Sequence, residues 1–180
     1  MNIVYIALGS NLGDRKYYLT RAIDEIEKRI GEIISLSAFY ETEPWGFISR
    51  YPFLNAVLRV DTEHDAISVL DLTQSIEKDL GRKVKSHGSY QDRCIDIDLL
   101  FFNTEILKND RLELPHPLLQ ERRFVLEPLV EIAPDLYHPI LHKTKRYMAG
   151  IFVCLKINRD HLYFILRWPL FYRLIYCFSQ

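Results

Sequence analysis

Two aspartates two positions apart, Asp96 and Asp98, stand in the run Arg93-Cys94-Ile95-Asp96-Ile97-Asp98-Leu99-Leu100-Phe101-Phe102. The alternation with Ile95, Ile97 and Leu99 predicts a strand over Ile95–Phe102, and residues two apart on a strand share a face. At about 3.3 Å per residue their Cα atoms lie about 6.5–7 Å apart. Acidic residues are depleted in strands. Paired on a stiff backbone among apolar neighbours, they suit a hard cation such as Mg²⁺, which takes one or two carboxylates, waters and phosphate oxygens. The competing reading is an edge strand with a solvated acidic face. It is disfavoured because Leu100 and Phe102 are expected to continue the face of the aspartates. Basic groups flank the strand in sequence, Arg82, Lys83, Lys85 and Arg93 before it and Arg122 and Arg123 after it. Such groups hold phosphate charge that a metal does not. A second set suits a flat heterocycle. Phe53 and Asn55 share a predicted strand face, and Phe124 follows the arginine pair. An aromatic platform with one amide can stack on a ring and read its donor–acceptor edge. A phenylalanine taken singly is more often core, but an Asn in an apolar strand must find partners.

The elements that must position these groups are legible in outline. Ile3–Leu8 is a continuous apolar run that reads as a buried strand, closed by a turn at Gly9-Ser10-Asn11-Leu12-Gly13. Leu19, Ala22, Ile23, Ile26 and Ile30 recur at helical spacing, with Asn11 or Asp14 as N-cap and Gly31 as the stop. Ile33–Tyr40 and Phe53–Val60 read as strands joined by a long loop. Ala66 to Leu80 reads as a second helix ended by Gly81. With Ile95–Phe102 the order is β-α-β-β-α-β, the pattern of a ferredoxin-like α+β sandwich. Residues 105–144 are expected to add short pieces punctuated by Pro115, Pro117, Pro128, Pro134 and Pro139.

Composition bounds the function. The chain has 180 residues, 48% hydrophobic and 26% charged, which suits one globular domain. Its formal net charge of −1 gives no general attraction to nucleic acid or an anionic membrane. Cys94, Cys154 and Cys177 form no CxxC pair, which argues against both a disulfide scaffold and a cysteine zinc site. No secretion signal opens the chain, so the cytoplasm is the expected compartment. Neither a P-loop, a GxGxxG fingerprint, a kinase signature set nor an HExxH pair is present. A seam lies near residue 144. Residues 1–144 hold 17 Lys+Arg against 23 Asp+Glu, whereas residues 145–180 hold six basic residues, one acid and nine of the aromatics. Leu162–Phe178 is interrupted by Arg167, Pro169 and Arg173, which disfavours a membrane span.

Several segments together resemble the 6-hydroxymethyl-7,8-dihydropterin pyrophosphokinases of folate biosynthesis. They are Tyr5-Ile6-Ala7-Leu8-Gly9-Ser10-Asn11-Leu12-Gly13-Asp14, Tyr40-Glu41-Thr42-Glu43-Pro44-Trp45-Gly46 and Phe53-Leu54-Asn55-Ala56. Ile76-Glu77 with Gly81-Arg82, Asp92-Arg93-Cys94-Ile95-Asp96-Ile97-Asp98, and Pro115-His116-Pro117 with Arg122-Arg123-Phe124-Val125-Leu126 complete the set. The resemblance runs in order over about residues 3–142. It implies transfer of the β,γ-pyrophosphoryl group of ATP to the hydroxymethyl group of the reduced pterin, releasing AMP. By that likeness Asp96 and Asp98 hold two Mg²⁺ ions. Arg82 and Arg93 stabilise the transferring charge, and Gln74, Glu77, Lys85, His116 and Arg122 contact ATP. Thr42, Pro44, Trp45, Phe53, Asn55 and Phe124 bind the pterin. The loops around Trp45 and over Lys83–Asp92 are the expected lids. Where many members carry Trp-Gly-Pro-Arg, this chain has Tyr90-Gln91-Asp92-Arg93, and Lys85 stands where arginine is common. The pattern stops near Thr144. The expectation is therefore a pyrophosphokinase domain over 1–144 and a basic, aromatic tail over 145–180 that is out-of-frame or foreign. Its partners are ATP and the pterin, with neither nucleic acid nor membrane, and a monomer is expected. The alternatives are an inactive or membrane-associated descendant and a non-catalytic ferredoxin-like binding module.

Overall fold

The computed structural model describes residues 1–82 and 91–144; Lys85, Tyr90 and the segment 145–180, with the predicted domain boundary, lie outside the described residues. The chain begins with strand β1 (Asn2–Ser10), helix α1 (Arg15–Arg29), strands β2 (Glu32–Leu36), β3 (Tyr40–Thr42) and β4 (Phe53–Thr62), helix α2 (Ala66–Asp79) and strand β5 (Asp96–Phe102). The short strands β6 (Leu107–Lys108) and β7 (Glu113–Leu114) follow, then helix α3 (Arg123–Ile132) and the strands β8 (Tyr137–His138) and β9 (Lys143–Thr144). The main sheet is antiparallel in the order β2-β4-β1-β5, with β3 pairing the far end of β4.

Alternation sorts the side chains of β1 to two faces. Val4, Ile6 and Leu8 pack with Leu19, Ala22 and Ile26 of α1 and Val69 and Ile76 of α2. Each fully buried Leu or Ile here contributes about 1.5–3 kcal/mol. On the opposite face Tyr5 meets Val57, Leu100 and Phe101 under Val125, Leu126 and Leu129 of α3. Asp14, one of the two expected caps, accepts from the Tyr17 N–H at 2.9 Å and starts α1. Gly31 follows the helix end at a point where a Cβ would lie 2.1 Å from the Asp61 carbonyl oxygen, so only glycine lets α1 close onto β4.

Three expectations need correction. The run Ile33–Tyr40 is not one strand but β2 and β3, split where β4 must serve both partners. Residues 105–144 hold more than short pieces, because α3 forms through Pro128 and buries Val125, Leu126, Leu129 and Val130. Tertiary burial outweighs the one backbone bond that proline removes. Phe102 does not share a face with the aspartates. The pairing passes from Ile6↔Leu99 to Tyr5↔Phe101, so Leu100 is an extra residue in a bulge. Beyond it the alternation inverts, and Phe102 packs on the α1–α2 side while Leu100 stays with α3.

Candidate active site

The site forms on the α3 face of the sheet, where β4, β1 and β5 run side by side. Asn55 on β4 lies opposite Gly9 on β1, and Gly9 lies opposite Asp96 on β5. The next row is Val57, Ala7 and Asp98. Neighbouring strands stand about 4.8 Å apart, so the Cα atoms of Asn55 and Asp96 are about 10 Å apart with a side-chain-free residue between them. Gly9 therefore belongs to the strand and not to the closing turn. A Cβ on it would sit 3.1 Å from Asn55 Oδ1 and 3.7 Å from Phe53 Cδ1. The amide of Asn55 is held from the other side, where its Nδ2 donates to Thr42 Oγ1 at 2.8 Å.

Above this floor is a cleft of about 500 Å³, open to solvent. Its lining includes Thr42, Trp45, Phe53, Asn55, Arg93, Asp96, Asp98 and Phe124 of the expected residues. Ala7, Leu8, Gly9, Glu43, Phe47, Ala56 and Val125 line it too. Phe47 stands edge-on to Phe53 with ring centroids 6.1 Å apart, and Trp45 faces Phe124 at 6.3 Å. Sequence reasoning missed Phe47, although its place two residues after Trp45 in the same loop was a usable signal. Gly9 carries no side chain to signal a role. Pro44, Gln74, Glu77, Arg82, His116 and Arg122 are not among the lining residues.

A layer of charge lies at one end of the cleft. Helix α2 ends with Gly81 at φ +95°, a conformation that favours glycine, and the Gly81 and Arg82 N–H groups donate back to Lys78 and Glu77 carbonyls. This reversal turns Arg82 inward. Its Nη1 donates to Glu77 Oε1 at 2.5 Å and to Asp96 Oδ1. Glu77 Oε1 also accepts the Ile97 N–H at 2.7 Å, so the 3%-exposed Glu77 braces both Arg82 and the aspartate strand. Burial alone pushes the Arg82 guanidinium down, but Asp96 and Glu77 outweigh it and hold it above its ordinary value. Arg93 stands 3.3 Å from Asp96 with its guanidinium 5.4 Å above the Phe53 ring. Arg122 stands 3.3 Å from Asp98, 3.2 Å from His116 Nε2, and 5.5 Å above the Trp45 ring. The bulge in β5 seats His116, whose N–H donates to the Leu100 carbonyl at 3.0 Å. Burial pushes the His116 imidazole below its ordinary value, against an opposing pull from Asp98. Gln74 lies half-buried on α2, one turn before Glu77.

Glu131 ties the cleft's two walls together. Its carboxylate accepts the Tyr40 hydroxyl at 2.9 Å and the Ala38 N–H at 3.1 Å, joining α3 to β3. Burial and then this hydrogen bond push the Tyr40 phenol up to about 12.

The donor set fits a hard divalent cation. Asp96 and Asp98 offer oxygen ligands from one face of a stiff strand, and the arginines beside them can turn to phosphate oxygens that share the metal. Arg93 Nε is buried without a hydrogen-bond partner among the described residues, a donor suited to an anionic ligand. Among those residues no cluster of three or more His, Cys, Asp or Glu side chains is found. Two carboxylates beside arginines leave room for water and phosphate oxygens as further ligands, the coordination that Mg²⁺ favours. No helix among the described residues is long and apolar enough to cross a membrane.

Comparison with known proteins places the chain in a family. Residues 5–134 match the family model described as 7,8-dihydro-6-hydroxymethylpterin-pyrophosphokinase. The chain is 50% identical over 141 residues to the 2-amino-4-hydroxy-6-hydroxymethyldihydropteridine pyrophosphokinase of Porphyromonas gingivalis, covering 77% of this chain and 95% of that one. It is 40% identical over 143 residues to the protein of the same name from Aquifex aeolicus, covering 79% and 88%. Among solved structures, wild-type Plasmodium falciparum HPPK-DHPS superposes with a TM-score of 0.72 at 18% identity, over 89% of this chain and 46% of that one. This chain thus spans less than half the length of that solved protein, and the likeness concerns the fold.

Proposed function

The chain belongs to the 7,8-dihydro-6-hydroxymethylpterin-pyrophosphokinase family, and from that premise we propose how its own residues divide the work of the reaction. The reaction is ATP-dependent diphosphoryl transfer in folate synthesis. The hydroxymethyl oxygen of the pterin attacks the β-phosphorus of ATP, the bond from that phosphorus to the α-phosphate bridging oxygen breaks, and AMP leaves. The alcohol proton is released in the same exchange. Such a transfer depends on in-line positioning and charge stabilisation more than on a strong base.

The observation that carries the assignment is the row Asn55–Gly9–Asp96. At one end the Asn55 amide reads the pyrimidine edge of the pterin, with Thr42 fixing its orientation. The ring lies over Gly9 between Phe53 and Phe124, with Trp45 and Pro44 closing the wall. The one-carbon arm then points toward Asp96 and Asp98, about 10 Å from Asn55 across two strand spacings. Asp96 and Asp98 would hold Mg²⁺, which when bound would supply charge neutralisation for the phosphates. Arg82 and Arg93 move from the carboxylates they now pair with to the transferring phosphoryl oxygens. Arg122 and His116 hold the nucleotide's phosphates, with Gln74, Glu77 and Lys85 completing its site. The half-buried His116, whose imidazole is held below its ordinary value, serves as a hydrogen-bonding group to the phosphates. The βαββαβ core is assigned to the ferredoxin-like sandwich, a reading that the order β2-β4-β1-β5 supports. A monomer is the proposed active unit.

The test is AMP release from ATP and Mg²⁺, with and without 6-hydroxymethyl-7,8-dihydropterin, in the wild type, Asp96→Ala and Asp98→Ala. The expected result is pterin-dependent AMP, reduced by at least about a hundredfold in each variant. A variant that keeps the wild-type rate removes its aspartate from the site.

A further inference from the structure

Asn11 takes no part in the roles assigned above, yet it is only 2% exposed and uses its whole carboxamide. Its Nδ2 donates to the Tyr51 carbonyl at 3.2 Å and to Asp92 Oδ1 at 2.7 Å, while its Oδ1 accepts the Arg93 N–H at 2.8 Å. The partners fix which end of the amide is nitrogen, since two are acceptors and one is a donor. The backbone N–H groups of Asn11 and Leu12 also donate to the Arg93 carbonyl, at 3.0 and 3.2 Å. The peptide groups on both sides of the Arg93 Cα are therefore gripped by the turn after β1. An asparagine that merely closes a turn bonds its near neighbours. This one reaches residues 40, 81 and 82 positions away.

Two pieces of the cleft meet at this amide. Arg93 carries the guanidinium that faces Asp96 and covers Phe53. Tyr51 ends the loop that brings Trp45 and Phe47 over the ring site, and Arg15 secures the same loop end through the Pro52 carbonyl at 2.8 Å. We propose that Asn11 is a positioning residue for the transfer step, a clasp that holds the Arg93 backbone so that its guanidinium is aimed at the Asp96 end of the cleft and that fastens the Trp45–Phe47 loop to the same point. The proposal rests on the pyrophosphoryl-transfer reading of the cleft. Arginine stabilises a transition state only when it is already aimed, and a displacement of an ångström costs orders of magnitude.

The experiment exchanges donor and acceptor across the 2.7 Å contact. Asn11→Asp keeps the size and the acceptor for the Arg93 N–H but sets a carboxylate against Asp92. Asp92→Asn turns the facing acceptor into a donor, so the double variant N11D/D92N regains the bond. For N11D, kcat should fall about 10- to 100-fold, the scale for loss of a supporting partner. KM for ATP and pterin should stay within threefold, and the double variant should recover most of kcat. Amide hydrogen exchange over residues 92–94 should quicken in N11D and slow again in the double variant. Asn11→Ala, which removes the side-chain bonds without adding charge, should show the same split between kcat and KM. An unchanged kcat in N11D and N11A overturns the proposal, as does a loss that follows Tm and is not rescued by D92N. If the wild type releases no AMP with pterin present, the functional reading fails. Exchange over 92–94 then judges the clasp by itself, and unaltered exchange in N11D overturns it.

Discussion

Replacing Gly9 by alanine adds one methyl group at the centre of the cleft floor. The backbone at Gly9 is ordinary strand, so the substitution costs the fold little, and in a strand interior alanine is generally favoured over glycine by about 0.5–1 kcal/mol. The new Cβ would stand 3.1 Å from Asn55 Oδ1, closer than an ordinary carbon–oxygen contact. Asn55 has to move by a few tenths of an ångström, yet its Nδ2 is tied to Thr42 at 2.8 Å. The amide therefore rotates away from the ring edge or stretches its bond to Thr42. Loss of the two hydrogen bonds of the amide to the pterin, at about 0.5–1.5 kcal/mol each, weakens binding by about 1–3 kcal/mol. At 1.4 kcal/mol per factor of ten this is roughly a 5- to 150-fold rise in Kd. Affinity for ATP should not change, because the arginines that face phosphate pair with Asp96 and Asp98 and not with Asn55. Titration calorimetry with 6-hydroxymethyl-7,8-dihydropterin and with ATP, beside a thermal melt, checks all three quantities. Pterin affinity within twofold of wild type would refute the placing of the ring over Gly9. A Tm lowered by more than about 10 °C would instead show that the close approach at Gly9 serves packing rather than recognition.

Glu77→Ala should cost about 3–5 kcal/mol, since it strips a buried partner from Arg82 and leaves the Ile97 N–H unbonded. At about 2–4 °C per kcal/mol for a chain of this length, Tm falls by about 10 °C. Glu77→Gln, which keeps an acceptor for Ile97, should lose less than half as much; equal losses in the two variants would show that the charge alone matters. His116 titrates below its ordinary 6.5 in the folded state because burial disfavours the imidazolium. The folded protein thus binds fewer protons than the unfolded chain just below pH 6.5. Stability is fully present above 6.5 and declines as pH falls toward the depressed folded value. His116→Gln should flatten that part of a denaturant-measured stability profile, and an unchanged slope would assign it to another group.

The parts of the site that were legible were those with unusual residue types in regular elements. Asp96 and Asp98 are acidic residues in a strand, and Asn55 is an amide in an apolar run; alternation alone puts each pair with its neighbours. What the alternation could not carry was the bulge at Leu100, which sends Phe102 to the other face and seats His116. A bulge answers to the partner strand and leaves no mark on the local pattern. Gly9 reads as part of the turn because glycine signals turns, whereas it stands inside the strand, where a Cβ would crowd the Asn55 amide. Helix α3 was hidden by Pro128 and by its shortness, both outweighed by burial against Tyr5 and Phe101. The resemblance implies contact with ATP for Glu77, and the geometry gives it a structural duty that no pattern in the sequence signals. It is the brace beneath Arg82 and β5.

The central claim is that this cleft moves two phosphates as one unit onto a pterin hydroxyl, and the fate of a labelled β-phosphate tests it most directly. ATP labelled at the β-phosphorus is incubated with the full chain, Mg²⁺ and 6-hydroxymethyl-7,8-dihydropterin, and the products are separated. The expected products are unlabelled AMP and a pterin diphosphate that carries the β-label in step with AMP formation. Label retained in ADP, with a pterin monophosphate beside it, would contradict the account.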